Sequence, residues 1–323
     1  MYGPVQIAGY LALVVTPATL LFGAVRVPAD PPTGLVSVTF GVGIAGTAVA
    51  ATEPQRLRAF DAGGFDRTDA VDALAVAAAA VITYWLSVSI GLGPVLASAL
   101  VGLSVGVALR RVDGAAYCGS FVGMASPALA PSLEWVALAG LIAGLALVAT
   151  AESFGGFGGK YGTLALFGCL ATVVLTDVEF GGGGSLEWRF VPVIVAVAVV
   201  AAVATVLLRT RGGVSSVVAS AAVGVATGVA FPPLVPELGP TLAAVAFCAS
   251  FVGMSSAERL ATTGQVAGAG VLCGVVYLAV APVLAGAGGK LGTTAFVSCL
   301  ALVGTRKVST VVRSRVRRVA SNG

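Results

Sequence analysis

The chain has no histidine in its 323 residues. That absence removes imidazole as general base, proton shuttle and metal or haem ligand. Lysine is almost missing as well, with three residues against fifteen arginines. Charged residues make up 10% of the chain, where a soluble domain carries roughly 25% to face water. No carboxylate falls in the middle of an apolar run: Asp72, Glu134, Glu152, Asp177 and Glu258 all lie near predicted segment ends. Proton-coupled carriers ordinarily need an acid within the membrane, so carboxylate-driven proton antiport is disfavoured. The five cysteines sit inside apolar runs without metal-ligand spacing and read as small buried hydrophobes. No cofactor or metal is expected. Without clustered acids, histidine or an activated nucleophile, an enzyme is not expected either.

What is present is lipid-compatible. Hydrophobic residues reach 58% and the mean hydropathy is +1.02. The expectation is an all-α integral membrane protein of about 10–12 transmembrane segments, each needing ~20 apolar residues. The apolar runs are long and lack strict alternation, which excludes a β-barrel. The 44 glycines, together with abundant alanine, suit close helix packing in lipid. The first run, about 4–25, lacks a basic leader and reads as a retained helix rather than a cleaved signal.

The sequence is internally duplicated. "CGSFVGMAS" (Cys118–Ser126) matches "CASFVGMSS" (Cys248–Ser256) at seven of nine positions. "GFGGKYGTLALFGCLA" (Gly156–Ala171) matches "GAGGKLGTTAFVSCLA" (Gly286–Ala301) at ten of sixteen. Both pairs are offset by 130 residues. Upstream, "ASALVGLSVG" (Ala97–Gly106) matches "ASAAVGVATG" (Ala219–Gly228) at an offset of 122. The difference of eight residues falls around "PPLVPELGP" (Pro232–Pro240).

The resulting organisation has five parts. Residues 1–70 hold two leading helices and a cytoplasmic loop. Residues 71–176 form a first five-segment repeat, 177–189 a Gly-rich linker containing "GGGGS", 190–304 a second repeat, and 305–323 a basic cytoplasmic tail. The middle segment of each repeat is short, so short or broken helices are expected. With five crossings per repeat the copies are inverted. The inside then collects 15 basic residues, among them Arg56 and Arg58, and the outside three (Arg26, Arg189 and Lys290). With four crossings the split is 13 to 5, so the positive-inside rule favours the inverted topology with a cytoplasmic C-terminus. The protein is expected in the cell membrane as a multi-pass chain.

Two duplicated motifs carry the candidate site. In "GGKxGT", Gly158, Gly159, Lys160 and Thr163 recur as Gly288, Gly289, Lys290 and Thr293. A lysine at a helix start adds its charge to free N–H groups and the positive dipole end, a combination suited to an anion or carboxylate. Glu152 is a candidate partner for Lys160. The phosphate-loop pattern fails, because Tyr161 and Leu291 stand where Ser or Thr would follow the lysine. In "SFVGM", Ser120, Phe121, Gly123 and Met124 recur as Ser250, Phe251, Gly253 and Met254. The small polar residues offer contacts, and the Phe and Met side chains offer apolar gates. The glycine-lysine-glycine turn before a helix resembles the anion-coordinating helix starts of chloride channels, in a shorter chain.

The expectation is a transporter or channel for a small solute, an anion or carboxylate favoured, with its site between the repeats. The competing readings are a membrane scaffold or sensor subunit without transport and a lipid-modifying membrane enzyme. The expected partners are membrane lipids and a small-molecule or ion substrate; a homo-oligomer is compatible with the composition. The tail lacks interleaved aromatics, so nucleic acid is not expected.

Overall fold

The computed structural model describes residues 4–26, 33–53, 65–151, 153–181, 183–184 and 186–321. Among them the regular structure is entirely helical, with no strand. The helices are α1 (Pro4–Arg26), α2 (Thr33–Ala50), α3 (Arg67–Val88), α4 (Pro94–Ala108), α5 (Asp113–Val122), α6 (Leu133–Ala149), α7 (Lys160–Thr176), α8 (Val191–Gly212), α9 (Ser216–Leu234), α10 (Gly239–Gly253), α11 (Thr263–Val280) and α12 (Lys290–Ser321). Five of these, α1, α3, α8, α9 and α11, are long and apolar enough to cross a membrane. Arg56 and Arg58, Glu152, and two residues of the "GGGGS" linker lie outside the described residues, as do the tail side chains from residue 311 onward.

Local chemistry sets the boundaries. Asp66 opens α3 with a capping box, accepting from the backbone N–H groups of Thr68 and Asp69 while Asp69 accepts from its own N–H. Ser132, Ser215 and Thr262 cap α6, α9 and α11 more simply, each side-chain oxygen accepting one backbone N–H. Nothing in residues 305–321 breaks a helix. The basic stretch therefore continues α12 without interruption to Ser321.

Packing runs through small residues. α3 lies against α5 and α6, and α8 lies against α10 and α11. A Cβ on Gly140 or Gly144 of α6 would sit 2.9 or 2.7 Å from the Cα of Ala77 or Ala73 in α3. On α11, a Cβ at Gly270 or Gly274 would lie 3.2 or 3.0 Å from the Cα of Val199 or Val195 in α8. This spacing of four lets backbones approach in surroundings where no hydrophobic force drives association.

Two further contacts are antiparallel. α4 meets α9 with Gly106 on Val218, Gly102 on Ala221, Ala99 on Gly224 and Leu96 on Gly228. α7 meets α12 only over their first turns, with Gly159 on Phe296, Gly162 on Gly292 and Leu166 on Gly289. At the centre of that crossing a Cβ on Gly292 would stand 2.5 Å from the Cα of Gly162. The helices touch backbone to backbone. Gly159 and Gly289, immediately before the two helices, hold φ of +85° and +84°, a conformation that only glycine adopts freely.

Gly162→Leu and Gly292→Leu are each expected to cost at least the ~1–3 kcal/mol typical of overpacking, because the clash is with backbone that cannot rotate away. Gly41→Leu, at a site with nothing within 4 Å, is expected to be neutral. Thermal unfolding of the purified protein, with the monodisperse yield in detergent, compares the three.

Candidate functional site at the crossing of the helix starts

The lysines of the two helix starts fold back onto the helix that precedes each. Lys160 is 9% exposed, and its Nζ donates to the carbonyls of Thr150 (2.5 Å) and Ala151 (3.4 Å), just past the end of α6. Lys290 Nζ donates to Ala281 (2.9 Å) and Val283 (3.0 Å), just past the end of α11. Carbonyls at a helix end have no intrahelical donor, and each ammonium supplies one. The threonines are engaged in the same local way. Thr163 donates to the Gly159 carbonyl (3.2 Å) and Thr293 to that of Gly289 (3.1 Å). Gly158 N–H donates to Ser255 Oγ at 3.0 Å. A Cβ on Gly288 would press on the Phe121 and Val122 carbonyls.

The surroundings of the two lysines differ. Beside Lys290 lies a cavity of about 180 Å³, whose lining includes Gly184, Thr241, Tyr277, Leu291 and Thr294. Two of the three ammonium donors are used by carbonyls. Thr294 is occupied by the Lys290 carbonyl (2.9 Å). Beside Lys160 the residue matching Leu291 is Tyr161, whose hydroxyl packs against Gly114.

The "SFVGM" residues form the centre of the molecule rather than an open lining. Phe121 and Phe251 meet with ring planes tilted by 55° and centroids 4.7 Å apart. Tyr117 and Phe247 complete a quartet, with Tyr117–Phe121 at 4.5 Å and Phe247–Phe251 at 4.7 Å. All four rings are buried. Gly123 packs under Thr83 and Tyr84 of α3, and Gly253 under Ala202 and Thr205 of α8. Met124 and Met254 are half-buried against the same core.

Hydroxyl groups run alongside the rings, and counting protons fixes their direction. Ser120 donates to the Tyr117 carbonyl (2.8 Å), so its contact with Ser98 (2.9 Å) must receive the Ser98 proton. Ser250 donates to the Phe247 carbonyl (2.6 Å). Ser220 must then donate to Ser250 (2.7 Å), and Tyr117 to Ser220 (2.9 Å). Every hydroxyl in both chains is satisfied.

Sequence reading missed Tyr117, Ser98 and Ser220, although the two serines occupy the same place in the matched upstream block. It also missed a buried ion pair. Glu53, after α2, meets Arg259 through two contacts (2.9 and 3.4 Å), with side chains 2% and 7% exposed. Glu53 also accepts the Phe154 N–H at 3.1 Å. Arg259 Nε donates to the Gly155 carbonyl at 2.8 Å, and its guanidinium lies 4.2 Å from the centroid of the Phe157 ring. In the first copy the matching residue is Leu129, a signal that position 259 does something the repeat does not require.

No family model, curated protein or solved structure matches this chain.

Two outcomes follow for the buried groups. Ser220→Ala is expected to cost about 1–3 kcal/mol, since it strands the Tyr117 hydroxyl in the core. Tyr117→Phe, which copies Phe247, is expected to cost about 1 kcal/mol or less because every remaining hydroxyl keeps its acceptor. Arg259→Leu alone is expected to cost about 3–5 kcal/mol by leaving Glu53 buried without its cation. Adding Glu53→Gln is expected to restore most of that loss. Unfolding midpoints of the four variants in one detergent check both orderings.

Proposed function

We propose that this chain is a membrane transporter or channel for a small solute, an anion or carboxylate favoured, built from two five-helix halves of opposite orientation. The observation that carries the reading is the reciprocal antiparallel packing of α7 on α12. Each contact has its mirror: Gly159 on Phe296 answers Gly289 on Leu166. Ser126 N–H to the Gly286 carbonyl (2.9 Å) answers Ser256 N–H to that of Gly156 (2.8 Å). Such self-complementary pairing is what a two-fold axis produces. The α4–α9 contact obeys the same reciprocity, with Gly106 on Val218 answered by Gly228 on Leu96.

Because the paired helices run antiparallel, that axis lies across them. With α7 and α12 set along the membrane normal, the axis lies in the membrane plane, and inverted halves are the result. From the Gly162–Gly292 crossing, α7 runs fourteen residues to its end at Thr176, and the same distance along α12 reaches Arg306, in the basic stretch. Laid end to end they cover about 42 Å, against ~40–45 Å for a bilayer with its headgroups. The crossing then sits at mid-depth. Inverted repeats with discontinuous helices meeting at the midplane are a common plan for carriers.

In this reading the Lys290 cavity is the solute entry on one face. Lys290 brings the positive charge, and Thr241 and Tyr277 bring hydroxyls. Tyr161 closes the corresponding space beside Lys160. The aromatic quartet forms the barrier between the faces, so passage requires the two halves to shift relative to one another.

Single cysteines at positions 177 and 306, on a cysteine-free background, test the arrangement with an impermeant thiol reagent on intact cells. Labelling at 177 alone is the expected result; labelling of both or of 306 alone rejects inverted halves with a cytoplasmic C-terminus. Uptake of small radiolabelled carboxylates and halides into proteoliposomes tests the activity. Lys290→Gln is expected to reduce anion flux at least tenfold, and unchanged flux rejects the anion assignment.

A further inference from the structure

α1 and α2 do not close on each other along their length. Between them lies an apolar groove of about 460 Å³, lined by residues including Leu21, Phe22, Gly43 and Ala50 and floored by Phe154 and Leu300. Among the described residues its polar side chains are two threonines, Thr39 and Thr47. Thr47 donates to the Ile44 carbonyl at 2.7 Å, and Thr39 is engaged as well. The groove therefore offers a polar solute almost nothing, and an apolar space of this kind does not hold water. Its rim carries Phe22, Phe40 and Ile44, which are 58%, 55% and 69% exposed. In a chain whose α1 is long and apolar enough to cross a membrane, such a rim faces lipid.

Length and charge narrow the occupant. The lining follows α1 from Leu13 to Val25, about 18 Å at 1.5 Å per residue, close to the ~15 Å depth of one leaflet. The groove runs beside a transmembrane-length helix, as an acyl chain runs in its leaflet. Arg26 is the last residue of α1. Its guanidinium folds back over the Phe22 ring, 4.5 Å from the centroid, which holds the charge over a groove-lining side chain. Arginine pairs with phosphate oxygens through two parallel N–H donors.

We propose that this groove binds one anionic phospholipid, with an acyl chain laid between α1 and α2 and the phosphate at Arg26. The site is separate from the crossing of α7 and α12, and it does not depend on the transport reading. It gives the two leading helices, which have no counterpart in the duplication, a role of their own.

The test uses the full chain in nanodiscs of equal phosphatidylglycerol and phosphatidylcholine, followed by release into neutral detergent and native mass spectrometry. One retained phosphatidylglycerol per chain is expected, enriched at least fivefold over phosphatidylcholine. A phosphatidylglycerol bearing a photoreactive acyl chain is expected to crosslink to peptides of α1 and α2. Arg26→Gln is expected to abolish the headgroup preference while the acyl crosslink persists. Gly43→Leu, whose side chain would enter the groove with Leu21 as its nearest neighbour at 3.9 Å, is expected to abolish the crosslink. Crosslinks spread evenly over other helices, an unchanged lipid ratio in Arg26→Gln, or a dimer buried through this face would each overturn the proposal. Arg26 is exposed, so its substitution keeps the test informative even if Gly43→Leu fails to fold.

Discussion

Two glycines in contact set the layout of this molecule. At Gly162 and Gly292 the backbones of α7 and α12 touch, and no residue with a side chain fits at either position. The contact fixes where each helix begins. The preceding Gly159 and Gly289 must then turn through positive φ to enter those helices, so residues 153–159 and 281–289 fold back along the structure. Their folded path carries Gly156 and Gly286 to the segments that follow α10 and α5, where Ser256 and Ser126 donate to them. The backbone hydrogen bonds between the two copies follow from one place where side chains are absent.

Helix ends inside an apolar molecule leave carbonyls without donors, and an unpaired polar group there costs several kcal/mol. The chain answers with cations. Lys160 and Lys290 serve the ends of α6 and α11. Arg209 serves the carbonyls of Gly253, the last residue of α10, and of Ser255 just beyond it (3.1 and 2.8 Å), and Arg259 that of Gly155. Lysine is scarce, but a long apolar stem ending in three donors suits this task. The two lysines differ in their surroundings. Both ammonium groups satisfy backbone, but Lys290 also borders the cavity and has a donor beyond the two its carbonyls use. The proposed anion preference rests on that second position and not on the motif as such.

The matched blocks were legible in the sequence because they keep one order, two at an offset of 130 and the third at 122. Of the two expected short middle segments, α5 has ten residues, whereas α10 has fifteen, as many as α4. The uninterrupted run of α12 through the basic tail was not anticipated, because charge was taken as the end of a segment although nothing there stops a helix. The motifs were legible as positions but not as contacts. "GGKxGT" suggested a lysine aimed at a ligand, whereas carbonyls two and three turns earlier in the chain are invisible to a local pattern. The Glu53–Arg259 pair spans 206 residues, and no periodicity links such partners. Its one trace is the difference between Arg259 and Leu129 within otherwise matching copies.

Those differences locate where the two copies have taken separate tasks. Tyr117 and Phe247 hold equivalent places in the quartet, yet only Tyr117 sends a proton across to the hydroxyls of the other copy. Tyr161 places its hydroxyl against Gly114, whereas its counterpart Leu291 lines the cavity beside Lys290. Arg259 ties one copy to the leading helices through Glu53, while Leu129 leaves the other without that tie. In the proposed arrangement a perfectly symmetric pair would present equal energies when open to either face. Each of these substitutions adds a contact on one side alone, so each shifts that balance toward one conformation. The anchor at Arg259 and the cavity beside Lys290 both belong to the second copy, while Tyr161 belongs to the first, so the asymmetry is concentrated in one copy.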